Sequence, residues 1–201
     1  LSIDTRGALW LADTAAGAVV RLNATSGDVL LKLALPAPTG VAGAPARGEV
    51  FVTHGGGATA VSVFAYETGA LLRRWGRRGG ADGELDEPQA VAVDERSGKV
   101  YVADGSGGGN GRVQAFDVAG SHLSTWISVN AGVGLGGTIR DATGRAVGSV
   151  RPLGSIPSWR RRVPFVAFDA ALEAVTIIEG DEIVLRAAAT GCEVLRVRAT
   201  D

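Results

Sequence analysis

Residues 83–126 contain four short apolar runs that are separated by turn sequences. Valine, which favours β-structure, is frequent in the runs, and the turn at residues 94–98 consists of residues that bond their own backbone or accept a positive φ. No part of the stretch has the period of an amphipathic helix. Four runs within about 40 residues therefore predict one four-stranded antiparallel sheet.

The same pattern occurs three more times along the chain. Residues 1–33 repeat it, residues 38–75 align with it at an offset of 50, and residues 166–197 align at an offset of 75. A sheet of this kind has two apolar faces and cannot bury both alone, so neighbouring sheets must stack around an axis. The repeats predict an all-β fold, a β-propeller of four-stranded antiparallel blades.

The stretch also resembles the NHL repeat, which forms one blade of a β-propeller. The positions that carry the resemblance are Pro88, Val91-Ala92-Val93-Asp94, Gly98, Val100-Tyr101-Val102-Ala103-Asp104, Asn110, Arg112-Val113, Phe116-Asp117 and Gly120. The resemblance implies a propeller of the NHL type, in which six blades are common. Because the chain begins inside a predicted strand, we expect its four recognisable blades to be part of a six-bladed ring.

The predicted blades cover residues 1–35, 36–79, 83–127 and 163–199 of a single propeller domain that spans residues 1–201. The remaining piece, residues 128–162, interrupts the spacing of the repeats. Within it, residues 138–150 have the pattern of a hairpin with a Thr-Gly turn. We interpret the piece as an insertion between blades, with a degenerate blade as the alternative.

Four polar residues are candidates for a binding site on the loop-bearing face. His54 stands where the other units carry Asp13, Asp104 and Glu179, and Asn110 lies in the glycine-rich loop that follows Asp104. Propellers bind partners at this face, so these side chains are candidate contacts. The favoured interpretation of His54 is structural: a polar side chain that bonds nearby loop amides.

A second set of carboxylates recurs at the end of the first strand in three of the four units. Asp4, Asp94 and Asp169 occupy this position. Recurrence through the repeats indicates a structural role, most simply the capping of a turn by accepting backbone N–H bonds. We therefore do not assign them acid–base chemistry.

Arginine clusters beside tryptophan suggest a possible basic patch. The residues are Arg73, Arg74, Arg77, Arg78, Arg160, Arg161 and Arg162. Cationic and aromatic surfaces suit single-stranded RNA, which some NHL propellers bind. However, acidic residues follow the first cluster directly and the net charge of the chain is −1. The arginines are therefore interpreted first as parts of the links between blades.

The layout of the first two blades also resembles the lyase that splits peptidyl-α-hydroxyglycine during C-terminal amidation. In that family, histidines of Pro-His motifs bind zinc, and a tyrosine in the loop after a second strand is catalytic. Here Gln89 and Thr39 follow the corresponding prolines, and glycines follow His54. With two histidines in the chain, the resemblance supplies no catalytic residue, metal ligand or cofactor. Zinc would enter only if residues outside the chain provide ligands.

The function that the sequence favours is a non-catalytic scaffold that binds a protein or peptide. A diverged zinc-dependent amidating lyase and a module that binds single-stranded RNA are the alternatives, so the question of enzyme activity stays open. No apolar run reaches the roughly 18 residues that a membrane helix needs.

Overall fold

A computed structural model of the chain describes residues 1–55, 60–105 and 112–125, together with the strands at 138–140, 146–149, 166–169, 174–179, 182–187 and 193–198. Every helix or strand in these residues is a β-strand. The strands form four antiparallel sheets. The predicted all-β fold is therefore confirmed. Among the residues described, no helix is long and apolar enough to cross a membrane.

Each sheet is a meander in which the strands follow one another in chain order. Blade 1 consists of β1 (Ser2–Ile3), β2 (Ala8–Asp13), β3 (Ala18–Asn23) and β4 (Val29–Ala34). Blade 2 consists of β5 (Pro38–Ala44), β6 (Glu49–His54), β7 (Ala60–Ala65) and β8 (Leu71–Trp75). Blade 3 begins with β9 (Ala90–Asp94), β10 (Lys99–Asp104), β11 (Arg112–Asp117) and β12 (His122–Thr125).

A hairpin extends the sheet of blade 3. Strands β13 (Thr138–Arg140) and β14 (Ala146–Ser149) pair with each other, and Thr125 of β12 pairs with Arg140. The third sheet therefore has six strands, and the hairpin lies on its outer edge. Blade 4 consists of β15 (Val166–Asp169), β16 (Ala174–Glu179), β17 (Glu182–Ala187) and β18 (Glu193–Arg198). The extent of the domain and the origin of residues 128–162 stay predictions.

Apolar cores lie between neighbouring blades, as the repeat requires. Trp10 of blade 1 belongs to one core with Val50 and Val52 of blade 2. Phe51 takes the equivalent place between blades 2 and 3, and Tyr101 between blades 3 and 4. All three aromatic side chains have no exposed surface. Burying each one stabilises the fold by about 1.5–3 kcal/mol, so the strongest apolar contacts join one blade to the next.

The outermost strand of each four-stranded meander is bent in the same way. The pairing of the third strand with the fourth contains a register shift in all four sheets, for example between Arg21 and Leu22 in blade 1. Such β-bulges increase the local twist and make an outer edge a poor template for further strands. In blade 3 the bulged strand β12 is nevertheless extended by the hairpin, through the pair of Thr125 with Arg140.

The inner strands are lined by small residues because neighbouring blades converge there. A Cβ atom at Gly43 would lie in direct contact with Nε1 of Trp10 and 3.0 Å from Oδ2 of Asp4. At Gly40 it would lie 2.7 Å from the Cα atom of Ala90. Both glycines are thus required by the close approach of a neighbouring blade.

We expect the substitution Gly43→Ala to destabilise the protein by about 1–3 kcal/mol, because the methyl group overpacks the contact with Trp10. Gly55→Ala is the matched control, since its Cβ would meet only a methyl group of Thr39 at 3.7 Å. Urea unfolding followed by tryptophan fluorescence measures both. Equal stabilities of the two variants would contradict the packing that we describe.

Candidate functional site

The first strands of blades 1, 2 and 3 line a cavity of about 920 Å³. Its wall comprises residues 1–5, 39–43 and 89–96 together with Ala46. We call it the central cavity. The middle of the wall is largely apolar, and polar side chains lie at the two ends.

One end of the central cavity opens on the face where the second strand of each blade ends. Thr39 and Gln89 lie at this end, beside the final residues of β6 and β10, which are His54 and Asp104. We call this face the loop face. Three of the four predicted site residues, Asp13, His54 and Asp104, end the second strands here. Asn110 lies outside the described residues.

His54 is buried, with 1% of its surface exposed. Its Nε2 atom lies 2.9 Å from the hydroxyl oxygen of Ser62 on the neighbouring strand. Nε of Arg74 donates a hydrogen bond to the same hydroxyl at 3.0 Å. Because the hydroxyl accepts from Arg74, it can donate its own proton to Nε2 of His54, which favours the neutral tautomer with a proton on Nδ1.

The surroundings of His54 favour the neutral ring. Burial and the positive charge of Arg74 both lower its pKa below the ordinary value of 6.5. Among the described residues, the partner of the ring is the side chain of Ser62 on a strand. The amides of residues 56–59, in the loop that follows His54, lie outside the described residues. In the described structure, His54 therefore joins the second strand of blade 2 to the third and fourth strands through Ser62.

Asp104 forms a buried ion pair with its register partner on the next strand. Nε and Nη2 of Arg112 each lie 3.0 Å from Oδ2 of Asp104. The backbone N–H of Asp86 donates to the other carboxylate oxygen at 2.6 Å. Burial raises the pKa of Asp104, and the charge and hydrogen bonds of Arg112 oppose that rise.

The same arginine fastens the link between blades 2 and 3. Arg112 donates to the carbonyl oxygens of Gly80 at 2.6 Å and Glu84 at 2.7 Å. Gln114 supports the link from the same strand, since it donates to the carbonyl of Glu84 and accepts from the amide of Gly83. Asp104 therefore neutralises and orients the side chain that holds residues 79–86 in place.

Asp13 and the inner carboxylates cap turns. Asp13 accepts the amide of Ala16 at 2.8 Å. Asp94 accepts the amides of Arg96 and Ser97, which confirms the predicted capping role for this residue. The side chain of Asp169 lies outside the described residues.

Asp4 caps its turn as predicted and also joins two blades, which the sequence did not indicate. It accepts the amide of Ala8, the indole N–H of Trp10 at 2.8 Å and the hydroxyl of Tyr66, from blade 2, at 2.7 Å. Burial disfavours the charged carboxylate, but hydrogen bonds led by that of Tyr66 lower its pKa overall. Burial and Asp4 raise the pKa of Tyr66 to about 12.

The arginines of the first predicted basic cluster are engaged by the fold. Arg73 forms a bidentate pair with Glu49 and donates to the carbonyl of Val118 in blade 3. Arg77 pairs with Glu84 at 2.8 Å, and Arg78 lies 4.0 Å from Asp86. Arg160, Arg161 and Arg162 lie outside the described residues.

Two kinds of hydrogen bond between blades recur and were not predicted. At the loop face, Thr14 donates to the carbonyl of Pro38, and Thr39 donates to that of Pro88. At the opposite face, Arg21 of blade 1 donates to the carbonyl of Tyr66, in the same way as Arg73 of blade 2 donates to that of Val118. The signal was present, since Pro38 and Pro88 are 50 residues apart, which is the offset of the repeat.

No group of three or more histidine, cysteine, aspartate or glutamate side chains in the described part of the chain could hold a metal ion. Residues 85–116 match the family model of the NHL repeat. The chain carries an NHL repeat and has the β-propeller fold. The resemblance that the sequence of the third blade suggested is thereby confirmed, and the propeller can be compared with solved structures.

Two solved structures have a similar fold. Hydrazine synthase of Kuenenia stuttgartiensis superposes with a TM-score of 0.62 at 15% identity, over 99% of this chain and 65% of that chain. The structure of U3-55K superposes with a TM-score of 0.54 at 11% identity, over 100% of this chain and 45% of that chain. This chain thus spans less than two thirds of the length of either solved chain. No curated protein matches its sequence significantly.

We expect Asp104→Asn to destabilise the propeller by about 3–5 kcal/mol, because it leaves the buried guanidinium of Arg112 without a counter-charge. The control is Asp13→Asn in the exposed turn of blade 1, for which we expect a change within about 0.5 kcal/mol. Chemical denaturation measures both changes. Similar values for the two aspartates would show that the ion pair does not hold the link.

The lowered pKa of His54 makes stability depend on pH. Below the ordinary value of 6.5 the unfolded chain binds a proton that the folded ring resists, so stability falls as the pH drops from 6.5 towards the folded pKa. The slope for one such group is at most about 1.4 kcal/mol per pH unit. We expect His54→Gln to reduce this dependence in unfolding experiments between pH 7.5 and 5.

His122 is the second histidine to consider in that experiment. Burial also lowers its pKa, although the carboxylate of Asp82 opposes the shift. The variant His122→Gln therefore measures how much of the pH dependence of stability comes from His122. An unchanged pH dependence in His54→Gln would mean that the ring of His54 is accessible to protons in the folded protein.

Proposed function

We propose that this NHL propeller is a protein-interaction scaffold that binds an extended peptide segment of its partner at the loop-face end of the central cavity. The observation that carries the proposal is the central cavity itself. Its volume of about 920 Å³ lies within the range of about 300–1,000 Å³ that is usual for ligand sites. Its largely apolar wall suits apolar side chains, and its polar ends suit a polypeptide backbone. A peptide has both.

The chemistry of the loop face supports binding by shape and hydrogen bonds. His54 and Asp104 are buried and bonded to their own blades, so their part in a contact would be to support the face. Gln89 lines the cavity at this end and is partly exposed. An amide side chain offers both a donor and an acceptor, as an extended peptide backbone requires.

The contacts of the arginines favour a peptide over RNA. Arg77 and Arg78 are exposed, with 81% and 67% of their side chains accessible. Each faces a carboxylate, from Glu84 and Asp86, which a phosphate would have to displace. The zinc-dependent lyase stays a hypothesis that depends on ligands from outside the chain, and the absence of a cofactor stays a prediction.

A selection of displayed peptides on the immobilised protein tests the proposal. We expect fluorescence anisotropy to show micromolar or tighter binding of selected peptides, and Gln89→Trp to weaken it at least about 10-fold by filling the end of the cavity. Thr68→Trp is the matched control, because it places the same side chain in an exposed turn outside the cavity wall.

Two results would contradict the proposal. One is equal peptide affinity in Gln89→Trp and wild type. The other is the failure to select a peptide together with salt-dependent binding of single-stranded RNA that Arg77→Ala and Arg78→Ala abolish. The second result would establish the nucleic-acid alternative.

A further inference from the structure

The end of the central cavity that lies opposite the loop face is formed by the turns between the first and second strands of the blades. These turns cover residues 4–7, 45–48 and 95–98. We call this end the turn end. Strand β9 runs along the wall between Gln89 at the loop face and Glu95 at the turn end, and its five residues span about 17 Å.

The side chain of Glu95 joins three blades at the turn end. Its Oε1 atom accepts a hydrogen bond from the hydroxyl of Thr5 in blade 1 at 2.8 Å. Its Oε2 atom accepts the amide of Ala46 in blade 2 at 2.6 Å. The carboxylate of blade 3 is therefore held in a fixed position among the three blades that line the cavity.

Within the described part of the chain, no arginine or lysine pairs with this carboxylate. Both of its hydrogen-bond donors are uncharged, and Arg47 donates to the backbone carbonyl of Glu95. By contrast, Glu49 and Asp104 each form a salt bridge with an arginine. Because each carboxylate oxygen has two lone-pair sites, both oxygens of Glu95 can accept a further bond from a cation.

The wall of the central cavity carries an excess of negative charge. Among the described residues that line it, the ionisable side chains are those of Asp4, Asp94, Glu95 and Arg96. Glu87 adds a carboxylate near the loop-face end, where its backbone carbonyl accepts a hydrogen bond from Nε2 of Gln89 at 3.1 Å. A cleft lined mainly by charges of one sign attracts a ligand of the opposite sign.

We propose that the peptide bound in the central cavity carries a lysine or arginine whose side chain pairs with Glu95 at the turn end. The inference rests on the proposed function and adds the chemistry of the partner, which combines apolar residues with one basic residue. An extended segment of about five residues has the length of β9 and so connects the loop face with Glu95. The remaining lone pairs of the carboxylate accept the cation, so Thr5 and Ala46 keep their bonds.

The sequences of the selected peptides give the first test, which needs no variant of the protein. We expect lysine or arginine at one fixed position and a depletion of aspartate and glutamate. Selected peptides without a preference for a basic residue would overturn this inference and leave the peptide scaffold intact. If no peptide is selected, the proposed function fails and this inference fails with it, so the two failures are distinguishable.

A double-mutant cycle tests the pairing with Glu95. In the tightest peptide, norleucine replaces the lysine or citrulline replaces the arginine, which removes the charge and keeps the length. Fluorescence anisotropy at low salt should show about 5-fold weaker binding to wild type, the upper end of what a partly exposed ion pair contributes. In Glu95→Gln we expect the same change in the peptide to alter the affinity less than about 2-fold.

Glu67→Gln is the matched control for the loss of one negative charge. This glutamate lies in a turn of blade 2 outside the cavity wall, and 63% of its side chain is exposed. We expect Glu67→Gln to keep the 5-fold effect, and thermal unfolding checks that both variants are folded. If Glu95→Gln weakens the charged and uncharged peptides equally, Glu95 has only a structural role and the proposal is wrong.

Discussion

The burial of one aromatic side chain between each pair of neighbouring blades is the contact on which the rest of this structure depends. Trp10, Phe51 and Tyr101 occupy the same place on successive second strands. A single blade cannot cover both of its faces, so each blade is stable only in the company of the next. The same contact requires small residues such as Gly43 on the inner strands, because they let the blades approach closely enough to enclose these rings.

Hydrogen bonds between blades orient the blades that this apolar contact joins. Asp4 and Tyr66 join blades 1 and 2 at the edge of the core around Trp10. A hydrogen bond to a charged group contributes about 1.5–3 kcal/mol, which is similar to the burial of a ring, and it also fixes how one blade is oriented on the next. In the described part of the chain, charged groups thus mainly hold neighbouring blades and their links together. The shape of the central cavity is therefore better evidence for a binding site than any single ionisable residue.

The fold could be predicted from the sequence because the repeat appears in local patterns. The alternation in Val100-Tyr101-Val102 and the turns beside it determine both the strands and the faces that they bury. The roles of the candidate site residues were harder to predict. Asp104 and Arg112 flank a glycine-rich loop. Their pairing depends on the register of β10 with β11, which the sequence does not reveal because the loop between these strands is long.

The remaining contacts of the site join distant parts of the chain. The bonds from Arg112 to the carbonyls of residues 80 and 84 exist only after blade 3 has folded against its link. In the same way, no local pattern places Arg74 beside the hydroxyl that His54 contacts. Such contacts follow from the packing of whole blades, so sequence patterns of one blade cannot reveal them.

Amide hydrogen exchange in wild type and Trp10→Ala tests the dependence on neighbouring blades most directly. Truncating this buried ring costs about 3–5 kcal/mol. The account predicts a large loss of protection in strands β2, β3 and β6, which surround the ring, and a much smaller loss in β10 and β11. An equal loss of protection in all of these strands, or no loss in any of them, would contradict the claim that each blade is stabilised by its contacts with the next.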